Sequence, residues 1–95
     1  MIESEKLLEK KLALGVKRMK GWSFKLWPVS VTGLPDRICL LPGGRLFFAE
    51  IKTTGEKTRP IQDVIIKKIR DLGFRVEVID TSEQIKNILL EYERK

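Results

Sequence analysis

The sequence predicts an α/β protein with the element order α-β-β-β-α-β-α and a mixed central sheet flanked by helices. Apolar residues recur at helical spacing in three segments, and short apolar runs typical of strands occupy four others. A Pro-Gly-Gly sequence joins two of those runs as a hairpin, which a helix and a further strand follow. This succession indicates that antiparallel and parallel neighbours share one sheet.

The first predicted element is a helix over residues 3–20. Leu8, Leu12 and Met19 repeat at helical spacing, and charged residues fill the positions between them. The segment is therefore amphipathic, with one side suited to packing on the sheet. Gly21 is expected to end the helix, because glycine commonly follows the last helical turn.

A strand is predicted next, where the period of the apolar residues changes. Between Trp22 and Trp27, small or polar residues alternate with apolar ones. This run ends at Pro28, and proline within a sheet is confined mainly to edge strands, so an edge position is predicted. Residues 29–35 are predicted to form a loop that leads to the hairpin.

The hairpin is predicted from two short apolar runs, residues 37–41 and 46–51, that surround Pro42-Gly43-Gly44. With a three-residue turn, Leu41 pairs with Arg45. The same register then carries Asp36 opposite Glu50, on one face of the sheet. A two-residue turn would instead place these two carboxylates on opposite faces, so the spacing leaves both arrangements open.

The remaining chain is predicted to contain a helix, a strand and a last helix. After a polar loop at 53–58, Pro60 takes a first-turn position, and a helical stripe ending at Gly73 consists of Ile61, Ile65, Ile69 and Leu72. Residues 74–79 alternate partially, as a strand does. Thr81 and Gln84 stand at capping-box spacing before the apolar face of the last helix, which is made of Ile85, Ile88, Leu89 and Tyr92.

Composition bounds both size and chemistry. Ninety-five residues suit one domain over residues 1–95, whose small core a partner subunit would help to stabilise. Nineteen Lys and Arg residues against 13 Asp and Glu residues give a net charge of +6, which suits a polyanionic partner. No apolar run approaches the roughly 18 residues of a membrane span, and the N-terminus lacks a signal-peptide core, so a cytosolic protein is expected.

Two absences narrow the chemistry further. The chain has no histidine, which excludes Ser-His and Cys-His nucleophile pairs, imidazole bases and His-ligated metals. Its single cysteine, Cys39, excludes an internal disulfide and a Cys-based zinc site, and its apolar strand makes it a core residue. An enzyme built from this chain would work with carboxylates, lysine, amides, hydroxyls and a hard metal ion.

Carboxylates and a lysine are expected to converge at one end of the hairpin. Lys52 lies two residues after Glu50 and therefore points to the same face as Asp36 and Glu50. Close carboxylates repel each other unless a cation lies between them, and oxygen ligands of this kind favour Mg²⁺ or Mn²⁺. From spacing alone, a cross-strand salt bridge at the end of the sheet is the alternative.

A family resemblance covers nearly the whole chain. Gly33-Leu34-Pro35-Asp36-Arg37, Pro42-Gly43-Gly44-Arg45 and Phe48-Ala49-Glu50-Ile51-Lys52 together resemble the VRR-NUC group (virus-type replication-repair nuclease) of the PD-(D/E)XK nuclease superfamily. The first helix, the glutamine-bearing helix and the closing strand also match that group, at Glu5-Leu8-Glu9, Pro60-Ile61-Gln62 and Gly73-Phe74-Arg75-Val76. A restriction-endonuclease-like core and a stand-alone phage-like form are implied.

The resemblance also implies roles for individual residues. Asp36, Glu50 and the backbone carbonyl of Ile51 would bind Mg²⁺ or Mn²⁺, and Lys52 would position the attacking water. Glu5 would approach from the first helix, through water or a second metal, with Glu9 as its substitute. These roles suit phosphodiester hydrolysis, which needs an activated water and compensation for charge on the phosphate oxygens.

Further candidates have two readings each. Gln62 is expected in the site, although it could cap its helix; an N-cap at Arg59 would lack the usual hydroxyl. Lys25, Lys57 and Arg59 flank the site and are expected to bind DNA. Trp22 and Trp27 could stack on bases. In a small domain, a core or dimer contact is the more common role for such residues.

The expected function is metal-dependent, structure-selective cleavage of branched DNA, such as Holliday junctions or flaps, in a bacterial or phage-infected cell. A homodimer is expected because both strands of a junction must be cut, and no small-molecule cofactor is required. The alternative is a non-catalytic nucleic-acid-binding protein on the same fold. A more remote reading is a basic protein-interaction module in which Asp36, Glu50 and Lys52 form structural ion pairs.

Overall fold

A computed structural model describes residues 1–27 and 30–94. The described part contains three helices and four strands in the order α-β-β-β-α-β-α, which confirms the predicted order. In chain order these elements are α1 (Glu5–Arg18), β1 (Trp22–Lys25), β2 (Arg37–Leu41), β3 (Arg45–Ile51), α2 (Pro60–Asp71), β4 (Val76–Ile79) and α3 (Ser82–Glu93). No helix in these residues is long and apolar enough to cross a membrane.

The four strands form one mixed sheet in the order β1-β2-β3-β4. The pairs β1–β2 and β2–β3 are antiparallel, whereas β3–β4 is parallel. The mixed sheet and the edge position of β1 are therefore confirmed. The expected end of this strand at Pro28, and the first residue of the following loop, Val29, lie outside the described residues.

The β2–β3 turn has the predicted three residues, since Leu41 pairs with Arg45. Gly43 and Gly44 adopt φ values of 85° and 72°, in the left-handed region that glycine enters without steric cost. The pairing continues without a bulge to Arg37 opposite Ala49. One further step therefore brings the residues before β2 alongside the end of β3.

The core lies between α1, α3 and one face of the sheet. It is built from Leu8, Leu12, Val16, Cys39, Leu41, Phe47, Ala49, Ile51, Ile79, Ile85, Ile88 and Tyr92. Cys39 is fully buried, as predicted, and its thiol donates to Ser23 Oγ at 3.4 Å. Both tryptophans are exposed, 65% for Trp22 and 75% for Trp27, so the core reading is wrong for them.

The first helix is shorter than predicted at both ends. Ser4 is its N-cap, with Oγ accepting from the amide of Leu7 at 3.2 Å. At the other end Lys20, not Gly21, adopts the left-handed conformation, with φ 67°. Gly21 is required for another reason, because a Cβ there would lie 2.4 Å from the carbonyl oxygen of Leu40.

The other predicted boundaries hold to within two residues. Pro60 is the first residue of α2, and the predicted strand 74–79 is shortened to Val76–Ile79. The capping box of α3 is confirmed: Thr81 Oγ1 accepts from the amide of Gln84 at 3.2 Å, and Gln84 Oε1 accepts from the amide of Thr81 at 3.1 Å.

Replacing Lys20 by glycine is expected to stabilise the protein. Gly21 and Lys20 donate to the carbonyls of Val16 and Lys17 at 2.9 and 3.0 Å, which is a Schellman ending with Lys20 at the left-handed position. Relief of the strain of a side chain there, roughly 1–2 kcal/mol, exceeds the entropy cost of glycine, about 0.5–1 kcal/mol. Denaturant titration should show Lys20→Gly about 0.5–1 kcal/mol more stable than wild type.

The matched control is Lys17→Gly, inside the last turn of α1. Its backbone is helical, so glycine there should cost about 1 kcal/mol. Equal destabilisation by both substitutions would contradict the assignment of Lys20 to the left-handed position.

Candidate functional site

The hairpin brings Asp36 and Glu50 to one end of the sheet. Asp36 directly precedes β2, and its Oδ2 accepts from the amide of Ile51, at the end of β3, at 2.8 Å. Pairing of Arg37 with Ala49 places Asp36 opposite Glu50 one step further along. Directly opposed residues share a face of the sheet, so the two carboxylates are neighbours, as the three-residue turn requires.

Glu50 is a deeply buried acid with one unused oxygen. Only 1% of the residue is exposed. Its Oε2 accepts from Gln62 Nε2 at 2.8 Å and lies 3.3 Å from Lys52 Nζ. Its Oε1 is buried and has no hydrogen-bond partner among the described residues. A buried carboxylate oxygen without a partner is costly, so this atom is suited to a cation.

The electrostatics also indicate too little positive charge at this point. Burial, reinforced by the charge of Asp36, raises the pKa of Glu50, and Lys52 only partly offsets this. Burial also raises the pKa of Asp36, with a further contribution from Glu9 and opposition from the Ile51 amide. Both carboxylates are thus destabilised as anions in the metal-free chain, and a bound cation would stabilise them.

The residues present fit a hard divalent ion. Since the N–H of Ile51 points towards Asp36, its carbonyl points to the same side of β3, because both groups of a strand residue face one neighbouring strand. Pro35, two residues before β2, has no N–H that could occupy this carbonyl.

Within residues 1–27 and 30–94, no three Asp, Glu, Cys or His side chains converge as a closed metal cage. Two carboxylates and one carbonyl would leave room for the several waters that Mg²⁺ retains.

Gln62 has both of the roles considered for it. It is the third residue of α2, and its Oε1 accepts from the amide of Arg59, the N-cap, at 2.8 Å. The absence of a hydroxyl at Arg59 was therefore no argument against capping, because the side chain of Gln62 caps the helix by itself. Its Nε2 remains free to donate to Glu50, and the side chain is 5% exposed. The helix start is thereby tied to the carboxylate.

Glu5 and Glu9 have different surroundings although both belong to α1. Glu9 is engaged by two cations, with Oε1 3.1 Å from Arg37 Nη1 and Oε2 3.6 Å from Lys25 Nζ. Glu5 is exposed and forms no ion pair with any described residue. Its charge nevertheless makes a small contribution to the raised pKa of Glu50.

Known proteins give a consistent assignment. Comparison of the sequence with models of protein families finds no match. The protein named "Putative nuclease p44", from Acyrthosiphon pisum secondary endosymbiont phage 1, is 35% identical over 85 residues, which cover 90% of each chain. A solved structure described as a VRR_NUC domain superposes with a TM-score of 0.87 at 24% identity, covering 95% of this chain and 99% of that one. The chain belongs to the family of the phage protein p44 and has the fold of a VRR-NUC domain.

The basic residues predicted to contact DNA differ in whether an acidic side chain already pairs with them. Lys57 and Arg59 are exposed before α2 and form no ion pair within the described residues. Lys25 is 54% exposed at its side chain but is paired with Glu9. No role was predicted for Arg37, which binds Glu9 and donates from Nε to Ser23 Oγ at 3.0 Å. The signal in the sequence was an arginine at the start of an otherwise apolar strand.

The raised carboxyl pKa values predict how stability depends on pH. Between the unfolded and folded pKa values, the folded metal-free chain holds more protons than the unfolded chain. The free energy of unfolding therefore falls as pH rises through this window. Glu50→Gln removes one of these groups and keeps an acceptor for Gln62. In EDTA at about pH 8 its Tm should exceed that of wild type by several degrees, and the difference should shrink towards about pH 4.5.

Adding Mg²⁺ or Mn²⁺ at the higher pH gives the complementary measurement. The ion should raise the Tm of wild type, since it binds only the folded chain, and should leave Glu50→Gln nearly unchanged. An equal shift for both proteins would contradict a cation site at Glu50.

Proposed function

We propose that this chain is a Mg²⁺- or Mn²⁺-dependent endodeoxyribonuclease, with residues 1–95 acting as one nuclease domain. Its substrate would be branched DNA, such as a Holliday junction or a flap. The observation that carries the proposal is the buried, unpartnered Oε1 of Glu50 beside Asp36. A structural ion pair with Lys52 accounts for Oε2 only, and it would leave the cost of burying Oε1 without compensation.

The carboxylate pair would hold the metal together with the Ile51 carbonyl. A divalent cation bound there would lower the pKa of a coordinated water and offset charge on the phosphate oxygens. Lys52 is fixed near the same point by Glu50, since its side chain is only 11% exposed. Its ammonium would orient the attacking water and stabilise the negative charge that grows in the transition state.

Gln62 and Glu5 would support these groups from two helices. Gln62 fixes the rotamer of Glu50 through Oε2 and so directs Oε1 away from α2. Glu5 remains unpaired and would contribute through water, whereas Glu9 is already neutralised by Arg37 and Lys25. These environments favour Glu5 over Glu9 for the helix carboxylate.

DNA binding is supported by charge and by exposed groups around the site. The net charge of +6 attracts phosphates, and Lys57 and Arg59 lie free in the segment that leads to Gln62. Trp27, 75% exposed, follows Leu26, whose amide donates to the Asp36 carbonyl at 2.8 Å. An exposed indole that follows a residue bonded to Asp36 suits stacking on an unpaired base, as branched DNA offers.

We also propose that a second copy of the chain binds to the sheet face that carries Glu50, at the end away from Asp36 and Glu50. The face turned away from α1 and α3 presents paired apolar residues on β1 and β2, namely Trp22 with Leu40 and Phe24 with Ile38. The Trp22 and Phe24 rings lie 4.7 Å apart. These residues carry no charge, so two copies of charge +6 avoid direct repulsion there. Large aromatic rings also suit an interface of about 800 Å² per partner.

Cleavage assays test the enzyme directly. Labelled four-way junction, flap and linear duplex DNA are incubated with the protein in Mg²⁺, Mn²⁺ or EDTA. Cleavage should require the metal and favour branched substrates. Asp36→Asn, Glu50→Gln and Lys52→Ala should each lower kcat by roughly 100-fold or more, with DNA binding retained.

The controls separate the alternatives. Tight, salt-dependent binding of wild type without any cut would favour a non-catalytic nucleic-acid-binding protein. Unfolding of all three variants would favour structural ion pairs among Asp36, Glu50 and Lys52.

Oligomeric state tests the second copy. Light scattering after size-exclusion chromatography should give twice the chain mass of 11.0 kDa for wild type. Trp22→Glu should give a monomer, because it buries a charge in the apolar face. Leu14→Glu changes an exposed apolar residue of α1, on the other side of the sheet, and should remain dimeric. A monomeric wild type at micromolar concentrations would contradict the proposal.

A further inference from the structure

We propose that Thr54 and Glu3 are positioning residues for the reaction. Their contacts join the segment that leads into α1 to the segment that follows β3. Glu5 lies two residues after Glu3, and Lys52 lies two residues before Thr54. The pair would thus hold two functional groups from distant parts of the sequence in one arrangement. This inference rests on the proposed nuclease function.

The two segments are bonded in both directions. The amide of Glu3 donates to Thr54 Oγ1 at 2.9 Å, and the amide of Thr54 donates to the Glu3 carbonyl at 3.1 Å. Thr54 Oγ1 also donates to the carbonyl of Asp80, after β4, at 2.7 Å. The Thr54 hydroxyl therefore accepts from the Glu3 amide and donates to the Asp80 carbonyl. Removal of the hydroxyl removes both bonds.

The Glu3 carboxylate fixes the other side of this arrangement. Ser82 donates to it from its amide at 2.7 Å and from its hydroxyl, and Lys11 Nζ donates at 3.0 Å. Hydrogen bonds from Ser82, with Lys11, hold the pKa of Glu3 at about 2, so it stays ionised across the pH range of enzyme assays. Ser82 is the first residue of α3, where a negative charge favours the helix dipole.

The contacts between Glu3 and Thr54 would fix the positions of Glu5 and Lys52 but are not needed for the protein to fold. The core residues of α1 begin at Leu8 and continue through Leu12 and Val16. Loss of the Thr54 hydroxyl leaves that packing intact. It loosens the first turn, with Glu5, and the residues after Lys52, while the backbone bond from Thr54 to Glu3 remains. Displacements of about 1 Å at such groups are enough to reduce catalysis by up to roughly 100-fold.

The decisive experiment compares three substitutions in the full chain. Thr54→Val keeps the shape and removes the hydroxyl, Thr54→Ser restores it, and Thr53→Val is the matched control, since the Thr53 hydroxyl bonds to no described residue. With a branched DNA substrate below Tm, Thr54→Val should lower kcat by roughly 10-fold with KM changed less than about 2-fold. Thr54→Ser and Thr53→Val should retain nearly the wild-type kcat.

Two further readouts distinguish positioning from a general loss of stability. In a Glu5→Gln background, Thr54→Val should cost less than about 3-fold in kcat, because part of its effect passes through Glu5. Hydrogen exchange of metal-free Thr54→Val should rise at the first-turn amides of α1 and at residues 52–55. It should stay unchanged at Leu12 and Val16.

The outcomes separate the two proposals. If wild type cleaves and Thr54→Val matches Thr53→Val in kcat, the positioning role is wrong and the nuclease stands. Full additivity with Glu5→Gln and unchanged local exchange would also overturn the positioning role. If wild type cleaves no DNA with either metal, the nuclease is wrong and the positioning role is wrong with it.

Discussion

The pairing of β2 with β3 determines where Asp36, Glu50 and Lys52 lie. The three-residue turn sets an odd loop length, which puts Asp36 and Glu50 on one face. A slip of one residue would carry Glu50 to the other face, among the apolar residues under α1 and α3. Gly43 and Gly44 make this turn possible through positive φ values, and the site therefore depends on two residues that do not belong to it.

Burial raises the pKa of both carboxylates and makes them suited to bind a cation. Glu50 lies under the start of α2, where Gln62 satisfies one oxygen and leaves the other without a donor in the described part of the chain. The two acidic residues of α1 near this site differ in their ion pairs. Glu9 pairs with Arg37 and Lys25, whereas Glu5 pairs with no described residue. Because cations pair with Glu9 but not with Glu5, negative charge without a matching cation is concentrated at one end of the sheet, in a protein that is basic as a whole.

Much of this arrangement follows from the sequence because it rests on local rules. Apolar spacing predicted the helices. The Pro-Gly-Gly sequence predicted the hairpin but left two registers open, and the family motifs indicated that Asp36 and Glu50 meet. Features set by tertiary contacts were not readable. The left-handed residue at the end of α1 is Lys20, whereas Gly21 is required by the close approach of the Leu40 carbonyl. Similarly, the link from Glu3 to Thr54 spans 51 positions, and no local pattern signals it.

The burial of Cys39 has a practical consequence for studying this protein. The thiol lies beneath α1 against Ser23, and burial raises its pKa to about 11. The thiolate is the nucleophile that attacks alkylating reagents, so this native cysteine is shielded both sterically and by its protonation. A single cysteine introduced on the surface, for example at the exposed Asn87 of α3, would then react alone. Fluorophores or spin labels can therefore be attached at chosen points without first removing the native thiol.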